Sequence, residues 1–365
     1  MSSGFLRTLR FARAWSRGAG AMEVDEVELR GPHGRIPATR YRPPGTRPGP
    51  GWVLLHGLTR TGRQHVSLVH FARSIAASGA TVLVPEVPEW VALRLAPHLT
   101  LGAVQAGVGA MEADPRVTGP PGLMGFSFGG PQALRVSGDP SLSGRLACVA
   151  AFGGYGEMKR SLDFLLTGTH EWAGRRYQVR PDPYGRWVVA ANYLTHVPGY
   201  GDAEPVARAL WELAAYAGDH FIESWDPGMD TMKVALREEM APEWRALFEF
   251  FAPPATDDPL PRSPATEDWT RRLTAAALSV DPLLDLPDTI GVPVPAFLVH
   301  GRNDHLIPFS ETLRTARRVA APELTVTVTG LFSHSTGDPR PHGPAGWTRE
   351  VWRLGSALRG LLGQV

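Results

Sequence analysis

Short apolar runs that alternate with helical segments dominate residues 22–153 and constrain the fold more than any other feature. The runs GWVLLHG, ATVLVPE, GLMGFS and LACVAAF are short and mostly apolar. Strands of this kind are typical of a parallel sheet with both faces covered. Two segments before them, MEVDEVELRG and IPATRYRP, alternate in polarity and predict an antiparallel pair. The sequence therefore predicts an α/β fold with a mostly parallel central sheet and helices on both faces.

Residues 154–290 break this rhythm with long helical patterns and Pro-rich joints, and they hold six of the 11 tryptophans. The strand pattern returns in residues 291–365. We therefore expect one core, in two parts at 22–153 and 291–365, with a largely helical, aromatic-rich lid or cap insertion between them. The aromatic residues fit either an apolar lid over a site or the insertion's own core.

The first 21 residues contain no acidic residue and four arginines. Wound as a helix at about 100° per residue, they place the arginines on one arc and apolar residues opposite. The arginines are Arg7, Arg10, Arg13 and Arg17, and the apolar residues are Phe5, Leu9, Phe11, Ala12 and Trp15. This basic amphipathic segment is expected either to fray or pack on the protein's own body, or to make weak contact with an anionic membrane surface.

Charge and composition exclude several classes of function. The chain has 37 basic and 36 acidic residues, so it lacks the net positive charge that favours binding to nucleic acid. No apolar run reaches the length of a transmembrane helix. Cys148 is the single cysteine and has no intrachain partner, which fits a reducing compartment. We expect a cytoplasmic protein, peripheral to a membrane if the N-terminal segment binds one.

Residues 125–129 read Gly-Phe-Ser-Phe-Gly and are followed by Gly130. A predicted buried strand precedes this motif and a predicted helix follows it. A serine at such a turn is exposed above the sheet, and the flanking glycines permit the sharp change of direction. The motif predicts that Ser127 is a nucleophile.

A hydrolytic nucleophile needs two backbone N–H groups directed at the oxyanion that develops during attack. One comes from the residue after the nucleophile, here Phe128, and the other from a loop after an earlier strand. The strand WVLL runs into His56-Gly57-Leu58, so Leu58 is predicted to supply the second N–H. We expect His56 to brace this loop rather than to transfer protons.

The strand AFLVH is followed by Gly-Arg-Asn-Asp-His at residues 301–305. The carboxyl ends of strands are where ligands bind in open α/β sheets, so Asp304 is the predicted catalytic acid. Asp288 and Asp338 are weaker alternatives. His334 lies 30 residues further on, after the strand LTVTVT, and is predicted to take the Ser127 proton as general base while Asp304 orients it.

The chain order Ser, Asp, His resembles that of the α/β-hydrolase superfamily. HGLTRTG, GFSFGG and GRNDHLIP are similar to the oxyanion loop, nucleophile elbow and acid loop of that family. The resemblance implies an α/β-hydrolase fold over residues 22–153 and 291–365, with the insertion where lids or caps commonly sit. Two differences limit the resemblance to parts of the family. The oxyanion segment is His-Gly-Leu rather than the His-Gly-Gly-Gly of many lipases and esterases. Ser127 stands where haloalkane dehalogenases and epoxide hydrolases have Asp.

The residues and the resemblance together predict a serine hydrolase that cleaves a carboxylic ester, or a related acyl bond, through an acyl-enzyme. Its substrate would be a small molecule with an apolar acyl or alcohol part. Thioesters, lactones and peptides remain open, as do two other functions: acyl transfer with the same triad, and non-catalytic binding on this fold. No metal-ligand motif and no glycine-rich phosphate loop is found, so neither a metal nor another cofactor is expected.

Overall fold

The computed structural model describes residues 3–32, 34–45, 47–332 and 343–365. The strands are β1 (Glu23–Gly31), β2 (Gly34–Arg42), β3 (Gly51–Leu55), β4 (Thr81–Pro85), β5 (Gly122–Phe126), β6 (Cys148–Phe152), β7 (Thr169–Trp172), β8 (Arg175–Gln178), β9 (Ile290–Gly291), β10 (Ala296–Gly301), β11 (Val319–Ala320) and β12 (Leu324–Thr329). The α-helices are α1 (Ser3–Arg17), α2 (Val66–Ala77), α3 (Pro88–Val91), α4 (Thr100–Glu112), α5 (Gly129–Ser137), α6 (Met158–Thr167), α7 (Pro183–Tyr193), α8 (Glu204–His220), α9 (Met229–Glu239), α10 (Pro242–Phe251), α11 (Pro264–Val280), α12 (Phe309–Ala316) and α13 (Gly343–Leu362).

Eight of the strands form one sheet in the order β1-β2-β4-β3-β5-β6-β10-β12. The pairs β1–β2 and β2–β4 are antiparallel, and every later neighbour in this order is parallel. The predicted antiparallel pair and mostly parallel sheet are therefore confirmed. Because β3, β5 and β10 run in one direction, the loops that follow them emerge at the same edge of the sheet.

Strand β3 illustrates why these runs are apolar throughout. All five of its residues are buried. Trp52 and Leu54 belong to the hydrophobic core on one face of the sheet, and Val53 and Leu55 to the core on the other. Successive strand residues point to opposite faces, so a strand covered on both sides needs apolar residues at every position. Each such aliphatic side chain contributes about 1.5–3 kcal/mol relative to an exposed one.

The region between β6 and β9 is largely helical, as predicted, and holds α6 to α11. It also contains an antiparallel hairpin, β7–β8, which the sequence did not indicate. The two residues that connect its strands, Ala173 and Gly174, both have positive φ, at 50° and 75°. Tight hairpin turns of this kind favour Asn-Gly or Asp-Gly, and Ala-Gly is a weak signal for one.

Buried polar contacts fix the helices of this region to one another. The Arg186 guanidinium on α7 donates to both carboxylate oxygens of Asp258, at 2.8 and 2.9 Å, and both side chains are buried. It also donates to Phe251 O at the end of α10. Trp187 is fully buried and donates its indole N–H to the same carbonyl at 2.9 Å. Trp187 therefore belongs to the core that the insertion shares with one face of the central sheet.

Helix α1 packs on the protein's own body, against α2 and α13. Its buried face is centred on Phe11 and Ala14, at 5% and 4% exposure. This differs from the predicted arcs. Arg7 points inward, where its guanidinium donates to Leu362 O at 3.0 Å and to Val365 O, whereas Leu9, Ala12 and Trp15 of the predicted apolar arc are exposed. The exposed carbonyl groups of a helix C-terminus attract an arginine, which outweighs its average preference for water.

Candidate active site

Ser127 lies at a sharp turn between β5 and α5. It is one of the few residues other than glycine with positive φ among those described, at 53°. Its N–H donates to Phe152 O on the neighbouring strand at 2.8 Å, and its carbonyl accepts from Gly130 N–H at 2.9 Å. A left-handed conformation costs an L-residue about 1–2 kcal/mol, and such strain persists where the surrounding structure over-determines it.

The two glycines of the motif are needed because backbones approach closely here. A Cβ on Gly125 would lie 2.0 Å from Gly129 O, and a Cβ on Gly129 would lie 2.7 Å from His56 O. Any larger residue at either position would push apart the strand, the helix and the loop after β3. The glycine spacing thus holds Ser127 against that loop.

The loop after β3 lies directly beside Ser127. A Cβ on Gly57 would be only 3.1 Å from Ser127 Cβ. Leu58 and Phe128, the predicted oxyanion donors, line the same cavity as Ser127. Within the described residues, neither of their backbone N–H groups donates a hydrogen bond.

His56 holds this loop in place through hydrogen bonds made by both of its ring nitrogens. Its Nε2 accepts from Val87 N–H at 3.0 Å, so the proton is on Nδ1, which donates to Gly57 O at 2.7 Å. Burial lowers the pKa of His56 from 6.5 to about 4, because the charged imidazolium would lose its hydration. A neutral, fully engaged histidine of this kind braces the loop.

Asp304 is buried in the loop after β10. Its Oδ1 accepts hydrogen bonds from the N–H groups of Leu306 and Ile307, both at 2.9 Å. Its Oδ2 lies 3.3 Å from Nε2 of His300. Two backbone N–H groups of its own loop therefore fix the plane of this carboxylate, and His300 lies next to its other oxygen. Leu306 and Ile307 also line the cavity that contains Ser127.

His300 was missed by sequence reasoning. It is fully buried, and its Nε2 is 2.8 Å from Ile307 O and faces the Asp304 carboxylate. Because both oxygens only accept, Nε2 carries a proton. Nδ1 is 2.6 Å from Thr312 Oγ1 on α12. The only signal in the sequence is a polar residue in an otherwise apolar strand, four positions before Asp304.

His334, the predicted general base, lies outside the described residues, as does Asp338. Phe332 is described, and its ring lies 5.8 Å from that of Phe152. A Cβ on Gly301 would be 2.4 Å from Phe332 O. The chain therefore passes over the end of β10, next to the loop of Asp304, two residues before His334. The alternative acid Asp288 is exposed.

The cavity beside Ser127 has a volume of about 440 Å³ and a mainly apolar lining. One part of the lining comes from the loops at the sheet edge, and the other from α2, from helices of the insertion and from the helices at both chain ends. The helical part consists of Phe11, Trp15, Ser67, Leu68, Phe71, Met158, Ser161, Leu165, Tyr184, Gly185, Val188, Val189, Leu354 and Leu358. The six tryptophans of the insertion do not contribute to the lining that the described residues form.

Tyr184, also missed by sequence reasoning, ties the insertion to the loop of Leu58. Its hydroxyl donates to Leu58 O at 2.9 Å. It begins α7 beside the buried Asp182, whose carboxylate accepts from Tyr184 N–H at 3.0 Å and whose own N–H donates to His305 O at 2.7 Å. One helix start thus contacts both loops at the sheet edge.

No protein-family model and no curated relative matches this sequence. Solved structures do match the fold. A protein from Legionella pneumophila subsp. pneumophila, assigned as a hydrolase, superposes with a TM-score of 0.52 at 12% identity, over 94% of this chain and 88% of that chain. The chain has the α/β-hydrolase fold.

Two further structures are similar at lower scores. A Pyrococcus furiosus esterase has a TM-score of 0.44 at 13% identity, with 93% of each chain covered. The Pyrococcus horikoshii acylaminoacyl peptidase has a TM-score of 0.43 at 12% identity, over 91% of this chain and 41% of that chain, so this chain spans about two fifths of the peptidase. The chemistry of this chain is therefore argued from its own site.

The described residues contain no group of three His, Cys, Asp or Glu residues that could hold a metal ion. No helix in the described ranges is long and apolar enough to cross a membrane.

Proposed function

We propose that this protein is a serine hydrolase that cleaves a carboxylic ester, or a related acyl bond, through an acyl-enzyme on Ser127. The observation that carries the proposal is the strained turn at Ser127, held beside an apolar cavity by close glycine contacts. Backbone strain of this kind is typical of a nucleophile elbow.

The proposed reaction assigns one role to each predicted residue. Ser127 Oγ attacks the acyl carbon while His334 takes its proton, and the N–H groups of Leu58 and Phe128 donate to the oxyanion. The tetrahedral intermediate collapses, and His334 returns the proton to the departing alcohol. Water then attacks the acyl-enzyme, with the proton again passing through His334, and releases the acid and Ser127.

Asp304 is proposed to orient His334 and to stabilise its imidazolium form. Its Oδ1 is already engaged by two backbone N–H groups, which fixes the direction in which Oδ2 presents its lone pairs. His300 supports Oδ2 from the strand side at 3.3 Å. A carboxylate held from its own loop can direct a histidine without itself moving.

The proposed substrate is a small molecule with an apolar acyl or alcohol part. Valine, leucine and phenylalanine side chains form most of the helical wall of the cavity. A volume of about 440 Å³ is at the lower end of the range for ligand pockets, which suits a single short to medium chain.

Labelling with a fluorophosphonate probe tests the nucleophile. The folded protein should react, and Ser127→Ala should not. Ser161→Ala is the matched control, because Ser161 lines the same cavity but its hydroxyl donates to Glu157 O at 2.9 Å. Labelling that persists in Ser127→Ala, or no hydrolysis of any ester in a series of graded acyl length, would contradict the proposal.

A second experiment tests the acid. Asp304→Asn should lower kcat by about 10⁴-fold, because the amide favours the wrong histidine tautomer. Asp288→Asn, at the exposed alternative, should leave kcat unchanged. Near-normal activity in Asp304→Asn would require another acid.

A further inference from the structure

The helices at the two ends of the chain concentrate positive charge. Together α1 and α13 carry seven arginines and a single acidic residue, Glu350. The arginines are Arg7, Arg10, Arg13, Arg17, Arg349, Arg353 and Arg359. Because the whole chain has a net charge of only +1, the rest of the molecule is net acidic. The charge of this protein is therefore strongly asymmetric.

The two helices pack together as one unit, which we call the α1–α13 pair. A Cβ on Gly4 would lie 3.1 Å from Gly363 Cα and 3.0 Å from Arg359 O, so the backbones nearly touch. Arg359 lies over the Phe5 ring at 5.7 Å. With the bonds of Arg7 to the C-terminal carbonyls, these contacts hold the charge of both helices in one place.

The α1–α13 pair also exposes large apolar side chains. They are Leu6 (41% exposed), Leu9 (50%), Trp15 (45%), Trp347 (53%), Val351 (39%) and Trp352 (72%). Arg10, Arg13 and Arg17 are exposed on the same helix as the first three. Exposed apolar residues mixed with arginine and tryptophan are typical of helices that lie at a membrane interface.

This surface continues into the wall of the Ser127 cavity. Trp15 lines the cavity and is still nearly half exposed, so it stands at the mouth. On α13, residues 347, 351, 354 and 358 follow helical spacing and share a face. Leu354 and Leu358 line the cavity, while Trp347 and Val351 extend the same stripe into solvent.

We propose that the α1–α13 pair docks on an anionic lipid bilayer and places the mouth of the cavity at the lipid surface. Arginines are attracted to acidic headgroups, and the exposed tryptophans and leucines enter the interfacial region. A second copy of this chain would bring one positive surface against another, which disfavours self-association through this face. If the proposed function holds, apolar acyl substrates pass from the lipid into the cavity.

Vesicle binding by the full chain tests the docking surface. The protein should sediment with vesicles of phosphatidylcholine mixed with phosphatidylglycerol, but much less with phosphatidylcholine alone. The triple variant R10Q, R13Q, R17Q should reduce the partition coefficient on the mixed vesicles at least about tenfold. The matched control R35Q, R176Q, R271Q removes the same charge from exposed arginines elsewhere and should stay within about twofold.

Hydrolysis provides a second readout. None of the three α1 arginines lines the cavity, so the triple variant should keep its kcat/KM on a soluble short-chain ester. On the same class of ester embedded in mixed vesicles, its rate should fall with the loss of binding. A fall in both assays would indicate general damage to the protein and count against the inference.

Two other results would overturn it. One is equal binding to neutral and anionic vesicles, or an equal loss in the control variant. The other is a dimer in analytical ultracentrifugation that the α1 variant dissociates, with no vesicle binding. If vesicle binding follows the expected pattern but no ester is cleaved, docking is supported while the proposed function fails.

Discussion

The two sides of the cavity differ in what holds them in place. The sheet side, formed by Gly57, Leu58, Ser127, Phe128 and Ile307, consists of loop and turn residues whose backbones are fixed by hydrogen bonds and close contacts. The helix side, formed by the helical residues of the lining given above, consists mainly of aliphatic and aromatic side chains projecting from regular helices.

Substitutions on the two sides should therefore affect activity in different ways. On the sheet side, a shift of a few tenths of an ångström would move the groups assigned to attack and to oxyanion binding, so changes there should affect every substrate alike. On the helix side, side chains only set the shape and volume of the cavity. Changes there should alter which acyl chains fit, with less effect on the chemistry.

The largest effect is expected at the strained serine. Ser127→Ala and Ser127→Gly should both lower kcat by at least about 10⁴-fold for every ester tested. Their stabilities should differ, because glycine adopts φ of 53° without the penalty of a Cβ. Urea unfolding should show the glycine variant to be more stable than the alanine variant by about 1 kcal/mol. Equal stability would mean that the turn at Ser127 is unstrained.

The sheet side should also be sensitive to acid through His56. Its folded pKa of about 4 is below the unfolded value of 6.5, so the unfolded chain binds the additional proton as the pH falls between these values. The free energy of unfolding therefore keeps its full value well above pH 6.5. It falls by about 3 kcal/mol by pH 4.

Urea unfolding at several pH values measures this loss. The slope of unfolding free energy against pH in wild type should exceed that of His56→Gln by about one proton. The exposed His98, changed to Gln, is the control. Equal slopes in wild type and His56→Gln would show that the loop does not depend on a neutral histidine.

The helix side should respond to size. Val188 on α7 lines the cavity and is buried. Val188→Phe should lower kcat/KM for the longest ester that wild type accepts by about 10- to 200-fold, and for an acetate ester by less than about threefold. Val234→Phe, at an exposed site on α9, should change neither. An equal loss of kcat/KM for all esters would contradict the proposed difference between the two sides.

Tyr184 connects the two sides, and its effect should be the smallest. Tyr184→Phe removes one hydrogen bond, to Leu58 O, without altering the cavity wall. Such a bond contributes about 0.5–1.5 kcal/mol, so kcat/KM should fall about two- to tenfold. The decrease should be the same for short and long esters, as for a sheet-side change. Tyr216→Phe on α8 is the control, and a chain-length dependence would place Tyr184 functionally on the helix side.

Local patterns were sufficient to predict the positions of Ser127, Leu58 and Asp304. Each follows a short apolar strand, and parallel strands end at one edge of a sheet, so their residues meet wherever the strands pack together. His300 and Tyr184 could not be found in this way. Their importance depends on what lies opposite them: the Asp304 carboxylate and Ile307 O for one, and Leu58 O for the other.

The N-terminal helix also shows what a sequence pattern does not predict. Its basic amphipathic character was evident from the arginine spacing, yet that spacing did not indicate which arc is buried. Its orientation is decided by the packing of Phe11 and Ala14 on the body of the protein. The hydrogen bonds from Arg7 to Leu362 O and Val365 O also contribute. Trp15 consequently reaches the mouth of the cavity.

The sequence by itself determined the α/β class, the mostly parallel sheet, the helical insertion and the glycine-flanked Ser127, because each depends on periodicity or on local steric limits. Only the tertiary structure decided which residues enclose the cavity. Phe11 and Leu358 line one wall although they lie near opposite ends of the chain. No local pattern encodes that proximity, because it results from all the packing between them.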